Sequence, residues 1–312
     1  MDALKIQELP SLRKPILIAA FAGWPDAAEV ASGSARYLAR KLRARRFAEI
    51  DPEEFYVFTE TRPNTIILAP GQRALEWPAN EFFSWTNPDG EHDLVILQGR
   101  EPNLNWREYV EIVLDLAKRL DVSQVIALGG TYDAVSHRGQ VSLSGHATNE
   151  TLTERLAEFG ITASGYEGPS SVQSALLDAC RERDITAASL WGHAPHYVRA
   201  APNPKVSHAM LKVLRTLLGV DFDISELYTQ GEALEQKVDA AMLENPELRD
   251  YIDQLDVVDE PEPEITVDEL MADLPISRPD PAEVMRELEE ILGMTRQERP
   301  ENDPERPPES QN

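Results

Sequence analysis

A single cysteine, Cys180, stands in a chain of 312 residues, and that count excludes a disulfide framework and any CxxC metal site. Free cysteine behaves as a small hydrophobe. Cys180 falls on the apolar side of a helical pattern over Ser170–Glu182, so a core position is expected in preference to a catalytic thiol. No apolar run approaches the ~20 residues of a membrane span, and Met1–Pro10 lacks the apolar centre of a secretory leader. A cytoplasmic protein is expected. Positive charge is scarce as well: 30 Lys and Arg face 55 Asp and Glu, a formal net charge of -25. Nucleic-acid phosphate and anionic membrane surfaces are therefore unsuited as partners. The deficit is uneven, because Asp256 to Asn312 holds eighteen acidic and five basic side chains. Much of the acidity belongs to the last fifth of the chain.

What is present alternates between two periods. Pro15–Ala22, Leu94–Leu97, Val122–Leu128 and Ile185–Trp191 are nearly continuous apolar runs, as strands buried on both faces require. Phe55–Thr59 and Thr65–Leu68 are two more strand-like runs around the turn-prone Arg62-Pro63-Asn64. Helical patterns follow Asp26, fill Val110–Leu120, start at Asn149, start at Ser170 or Ser171, and run from Val206 to Leu218. Strands alternating with helices predict an α/β fold with a mostly parallel sheet and helices on both faces over residues 1–220. After Gly219 two polar helices are expected, Ile224–Met242 and Pro246–Leu255, and Pro281–Leu292 reads as one more. Residues 221–293 are thus expected to form a small helical domain with an acidic linker, and 294–312 a disordered acidic tail.

In parallel sheets ligands and partners are met at the carboxyl ends of strands. Four polar segments fall there: Gly23-Trp24, Gly99-Arg100, Gly130–Arg138 and Gly192–Tyr197. Gly129-Gly130-Thr131 after a strand suggests a phosphate loop, yet neither GxGxxG nor GxxxxGK[ST] occurs, and a glycine turn for close packing is the simpler reading. His137, His146, His193 and His196 match neither HExxH nor a Cys/His framework, so no metal is expected. No Ser stands in a GxSxG elbow. Asp133 and Glu167 are candidates for an acid/base pair, and His137 with Arg138 for an anion or proton site; turn caps, ion pairs and an ordinary hydrogen-bonded histidine explain them as well. Trp24, Tyr132, Trp191 and Tyr197 suit either an interaction rim or the plug of a core.

At these residues a resemblance emerges. Phe21-Ala22-Gly23-Trp24-Pro25-Asp26-Ala27, Gly130-Thr131-Tyr132-Asp133-Ala134-Val135, Ala147-Thr148-Asn149, Tyr166-Glu167-Gly168-Pro169, Ala187–Trp191, Pro195-His196-Tyr197 and Pro202–Lys205 occur in order. The chain resembles the bacterial, actinobacterial-type branch of the proteasome assembly chaperone 2 family over roughly Ile16–Leu255. The resemblance implies a three-layer αβα domain of phosphorylase/hydrolase-like type, a small helical domain, homo-oligomers with trimers favoured, and a non-catalytic role in binding a protein partner, with proteasome subunits as the implied clients. It points to a binding surface of Gly23, Trp24, Asp26, Gly130, Thr131, Tyr132, Asp133, Asn149, Tyr166, Glu167, Pro195, His196 and Tyr197. Bacterial members also carry the label of an ATP-dependent carboxylate–amine ligase of ATP-grasp type. That alternative, or another small-molecule enzyme such as the hydrolase/phosphorylase-like activity that fold analogy suggests, would use Asp133, His137, Arg138 and Glu167; the chain has no nucleotide loop and no recognisable carboxylate set for Mg²⁺, so no cofactor is expected. Where relatives tend to read His-Thr-Arg-Pro and Glu-Gly-Pro-Thr-Gly, this chain has His137-Arg138-Gly139-Gln140 and Glu167-Gly168-Pro169-Ser170-Ser171. Its ending, Glu309-Ser310-Gln311-Asn312, differs from the hydrophobic-Tyr-X tail with which such chaperones engage the α-ring.

Overall fold

A computed structural model describes residues 3–69, 71–199, 202–244 and 246–258. In chain order its elements are β1 (Leu4–Ile6), β2 (Ile16–Ala22), α1 (Val30–Leu42), β3 (Arg45–Ile50), β4 (Asn64–Ala69), β5 (Gln72–Glu76), β6 (Asn80–Trp85), β7 (Leu94–Arg100), α2 (Trp106–Arg119), β8 (Gln124–Asp133), β9 (Leu143–Ala147), α3 (Glu150–Ala157), α4 (Val172–Glu182), β10 (Ala187–Pro195), α5 (Pro204–Leu218), α6 (Ser225–Glu244) and α7 (Pro246–Val258). The expected helix Pro281–Leu292, the linker around Pro261, Pro263 and Pro275, and the tail 294–312 lie outside the described residues.

The main sheet has the order β1-β3-β6-β7-β2-β8-β10-β9. Its centre, β7-β2-β8-β10, is parallel, as the continuous apolar runs require, and antiparallel strands extend it on both margins. Side chains alternate across the sheet. Ile16, Ile18 and Ala20 of β2 meet α1, α3 and α5 on one face; Leu17, Ala19 and Phe21 meet α2 and α4 on the other. This is the three-layer αβα arrangement. Cys180 lies fully buried in the second of these cores.

Several expectations shift in detail. Phe55–Thr59 is not a strand but a run of turns; Phe55 is buried edge-on against Tyr109 at 5.5 Å, so its apolarity serves packing without a ladder. β8 and β10 do not stop at their glycines. They continue in parallel register to Asp133 and Pro195, with Thr131 opposite His193. Gly129 is needed because the Trp191 ring lies across it, 2.5 Å from where a Cβ would stand. Gly130 meets the Ala27 carbonyl in the same way, at 2.8 Å. The margin strands β1, β3, β6 and β9 were not anticipated, since their polar residues give no continuous apolar run.

α6 packs against α5, and its approach is fixed at α1: Tyr37 donates to the Asp223 carbonyl at 3.1 Å, Lys41 pairs with Asp223 at 3.0 Å and Arg40 with Glu226 at 2.9 Å. A third, smaller core joins Tyr197 and Val198 to Val238, Ala241, Met242 and Ile252.

Candidate functional site

The carboxyl ends of β2, β7, β8 and β10 lie along one edge of the sheet. On the β2 side, Asp26 is buried and accepts from the Ala31 and Ser32 amides at 2.8 and 3.0 Å. It thus satisfies orphan donors at the start of α1. Burial pushes its carboxyl up to about 6, against the lowering effect of those bonds. The turn it holds carries Ala28 and Glu29 at φ +50° and +51°, a left-handed conformation costly for non-glycine residues. The Ala28 amide donates to the Tyr132 hydroxyl, which itself donates to the Arg199 carbonyl, both at 3.2 Å. Beside this buttressed turn, Glu101 after β7 receives the amides of Trp24 and of Val172, the latter at 2.9 Å. One carboxylate therefore ties the β2 loop to the first residue of α4. Gly23, at φ +122°, makes the turn a side chain would resist. Trp24 is left 58% exposed, and Tyr166, on the loop entering α4, 63%. The Tyr166 hydroxyl donates to the Pro169 carbonyl at 3.0 Å, and Glu167 beside it is exposed.

On the β8–β10 side the polar groups are engaged with one another. Asp133 Oδ2 lies 2.7 Å from His193 Nδ1, and His193 Nε2 lies 2.8 Å from Ser144 Oγ on β9. The His193 bond and the Ala134 amide hold the Asp133 carboxyl below the usual range, His193 contributing most. His196 binds the Asp133 carbonyl through its amide at 3.0 Å, and its Nε2 lies 2.9 Å from the Tyr251 hydroxyl of α7. His137 is only 6% exposed. Its amide donates to the Tyr197 hydroxyl at 2.8 Å, its Nδ1 lies 2.8 Å from the same oxygen, and its Nε2 lies 3.3 Å from Asp239 of α6. Burial lowers its proton affinity. A carboxylate only accepts, so the neutral ring carries its proton on Nε2 and takes the tyrosine hydroxyl at Nδ1. Arg138 bonds Asp239 through Nε at 2.9 Å and Asp253 of α7 at 3.1 Å. Lys205 reaches the His137 carbonyl and Glu235.

The surface expected from sequence therefore divides. Gly23, Trp24, Asp26, Gly130, Thr131, Tyr132, Asp133, Pro195 and His196 do lie along the strand ends, and Tyr166 and Glu167 stand on the loop tied to them through Glu101. Tyr197 is not a rim residue: at 2% exposure it is the centre of the third core. Asn149 lies at the opposite edge. β9 runs antiparallel to β10 and returns the chain to its amino end, where Asn149 caps α3 through the Leu152 amide at 2.9 Å and reaches Thr186. The set Asp133, His137, Arg138 and Glu167 does not converge, because Asp133 serves His193, the His137–Arg138 pair faces α6 and α7, and Glu167 is on an outer loop. Among the described residues no three His, Cys, Asp or Glu come together to hold a metal ion, and no helix is long and apolar enough to cross a membrane. Ser144 and its partnership with His193 were missed by sequence reasoning.

A family model described as the PAC2 family matches residues 20–242. A PAC2 family protein from Streptomyces avermitilis shares 32% identity over 76% of this chain and 99% of its own, with a TM-score of 0.69. A proteasome-assembly chaperone homologue from Mycobacterium tuberculosis also shares 32%, with the same coverage and a TM-score of 0.70. Pyrococcus furiosus PbaB, an archaeal proteasome activator, shares the fold at 22% identity and a TM-score of 0.62, over 76% of this chain and 97% of its own. No curated protein matches the chain.

Proposed function

The chain belongs to the PAC2 family, and we propose that it is a chaperone-like protein of the cytoplasm that captures a protein partner, a proteasome subunit, on the rim formed by Trp24 and Tyr166, a capture that itself involves no catalysis. The observation that carries this reading is the exposure of two large aromatics on fixed backbone. Trp24 stands on a turn held by Asp26, Gly130 and Tyr132, and Glu101 joins that turn to the start of the helix beyond Tyr166. Rigid aromatics lose little entropy on binding and dominate interfaces. The partner class comes from the relatives named as a proteasome-assembly chaperone homologue and a proteasome activator.

The proposed protein also binds itself, as a homo-oligomer with three copies favoured. The β4–β5 hairpin supplies the surface for this. It forms a two-stranded sheet apart from the main one, and isolated two-stranded hairpins are marginal in water. Ile67, Leu68, Leu75 and Trp77 are nonetheless exposed on and beside it, Ile67 by 74%. Light scattering should find an oligomer that Ile67→Asp with Leu75→Asp converts to monomer; an unchanged mass would remove the hairpin from the interface. For the rim, the test is an affinity pull-down from native cytoplasm. Recovery of proteasome α or β subunits by the natural chain, and its loss with Trp24→Ala and Tyr166→Ala together, is expected. Retained capture by a folded double variant would count against the rim.

A further inference from the structure

We propose that Ser144, His193 and Asp133 form a nucleophilic serine site that cleaves small carboxylic esters, separate from partner capture. The three side chains come from three adjacent strands and point to the same face of the sheet. Thr131 and Asp133 of β8, Trp191 and His193 of β10, and Ser144 and His146 of β9 share that face by their register and by the pleat.

The hydrogen-bond directions follow from chemistry. Asp133 is ionised, held so chiefly by His193, and an ionised carboxylate only accepts. In the neutral tautomer that can act as base, the proton therefore sits on Nδ1, 2.7 Å from Asp133, which leaves the Nε2 lone pair to accept from Ser144 Oγ at 2.8 Å. That is the arrangement of a serine nucleophile, its general base and the carboxylate that fixes the tautomer. The His193 side chain is 13% exposed and that of Asp133 48%, so solvent and small substrates reach the trio.

A groove begins two residues along β9 from the nucleophile, where His146 on the same face lines it with Trp106, Ser171, Ser174, Asp178 and Arg181. Ser171 is buried, and its hydroxyl has no partner. A small ester needs only the nucleophile and its base to react.

In the reaction, Ser144 Oγ attacks the carbonyl carbon while His193 Nε2 takes its proton. The bond to the alcohol oxygen then breaks, and Nε2 returns that proton to the leaving alkoxide. Water next attacks the acyl-serine, yields a proton to Nε2, and Ser144 departs with it. Ester and water become acid and alcohol, with nothing oxidised. The amide of Gly145 already donates to the Thr162 carbonyl at 2.9 Å, so the residue after the nucleophile supplies no oxyanion donor. The acceleration expected is that of the base and nucleophile alone, about 10²–10⁴.

The test uses the full chain with a fluorophosphonate probe, mass-spectrometric mapping of the adduct, and 4-nitrophenyl acetate turnover. Expected are an adduct on Ser144 that forms faster on folded than on urea-unfolded protein, its absence in S144A, and labelling about 100-fold slower in H193Q. Turnover should fall at least about tenfold in D133N, whose amide no longer fixes the tautomer. The Trp24 and Tyr166 double variant should label normally. An adduct elsewhere, equal labelling of unfolded chain, or an H193Q rate equal to that of the natural chain would overturn the proposal. If a variant is misfolded by its melting curve, the site and folding dependence of the adduct on the natural chain decide.

Discussion

The two halves of the strand-end edge use similar residues to opposite ends. On the β8–β10 half, His137, Arg138, His196 and Tyr197 face α6 and α7 and meet Asp239, Asp253 and Tyr251 there. On the β2 half, Trp24 and Tyr166 remain exposed, while the groups beneath them, buried Asp26 and half-buried Tyr132, only shape the turn. A polar cluster at strand ends is therefore not one kind of surface. The first half is a joint within the molecule, and the second is an exposed platform.

The comparison breaks most sharply at Tyr197. Tyr197→Ala empties the third core and strands the His137 amide and ring, so the free energy of unfolding in urea should fall by about 3–5 kcal/mol. A loss near that of a surface substitution would mean that α6 and α7 are not held through this residue.

Asp26 gives the next effect, and it depends on pH. Its carboxyl in the folded protein is pushed up to about 6, so the folded chain holds that proton more tightly than the unfolded one. Its contribution is full below the ordinary aspartate range and is lost as pH rises through about 6. Asp26→Asn can still accept both amides. Between pH 4 and 7.5 the natural chain should lose roughly 2 kcal/mol that the variant keeps. Parallel stability curves would show that Asp26 is not desolvated.

Arg138→Gln sharpens the joint at lower cost. Its partners are partly exposed, so the loss should stay under about 1 kcal/mol, while hydrogen exchange in α7 should quicken more than in α2. Equal change in both helices would argue against a local fastening.

Much of the fold was legible in sequence because the middles of the four central strands are buried on both faces and read as continuous apolar runs such as Val125–Leu128 and Leu94–Leu97. β3, β6 and β9 were not, since each carries charged or polar residues, as Arg45, Glu81 and His146 show. The site was half legible. Trp24 and Tyr166 are visible as aromatics beside glycine and proline, but nothing local reveals that β9 runs antiparallel, which moves Asn149 to the far edge. Burial misplaced Tyr197 as well, because a strand that outlasts its glycines places the residue after Pro195 and His196 beneath α6. Ser144 and His193 lie 49 residues apart, and only the register of two strands joins them.

The smallest expected effect on stability is the most informative about function. Trp24→Ala with Tyr166→Ala removes side chains that are already largely in water, so unfolding should change by no more than about 0.5 kcal/mol. Tyr197 is the wrong second site for this test, because its loss would lower capture through unfolding. With the rim pair, folding and capture separate. A variant that melts like the natural chain but no longer recovers a proteasome subunit places the partner's contact on the open half of the edge. Capture that survives rim loss yet fails in Arg138→Gln would assign it to α6 and α7 and make the joint, and not the platform, the binding element.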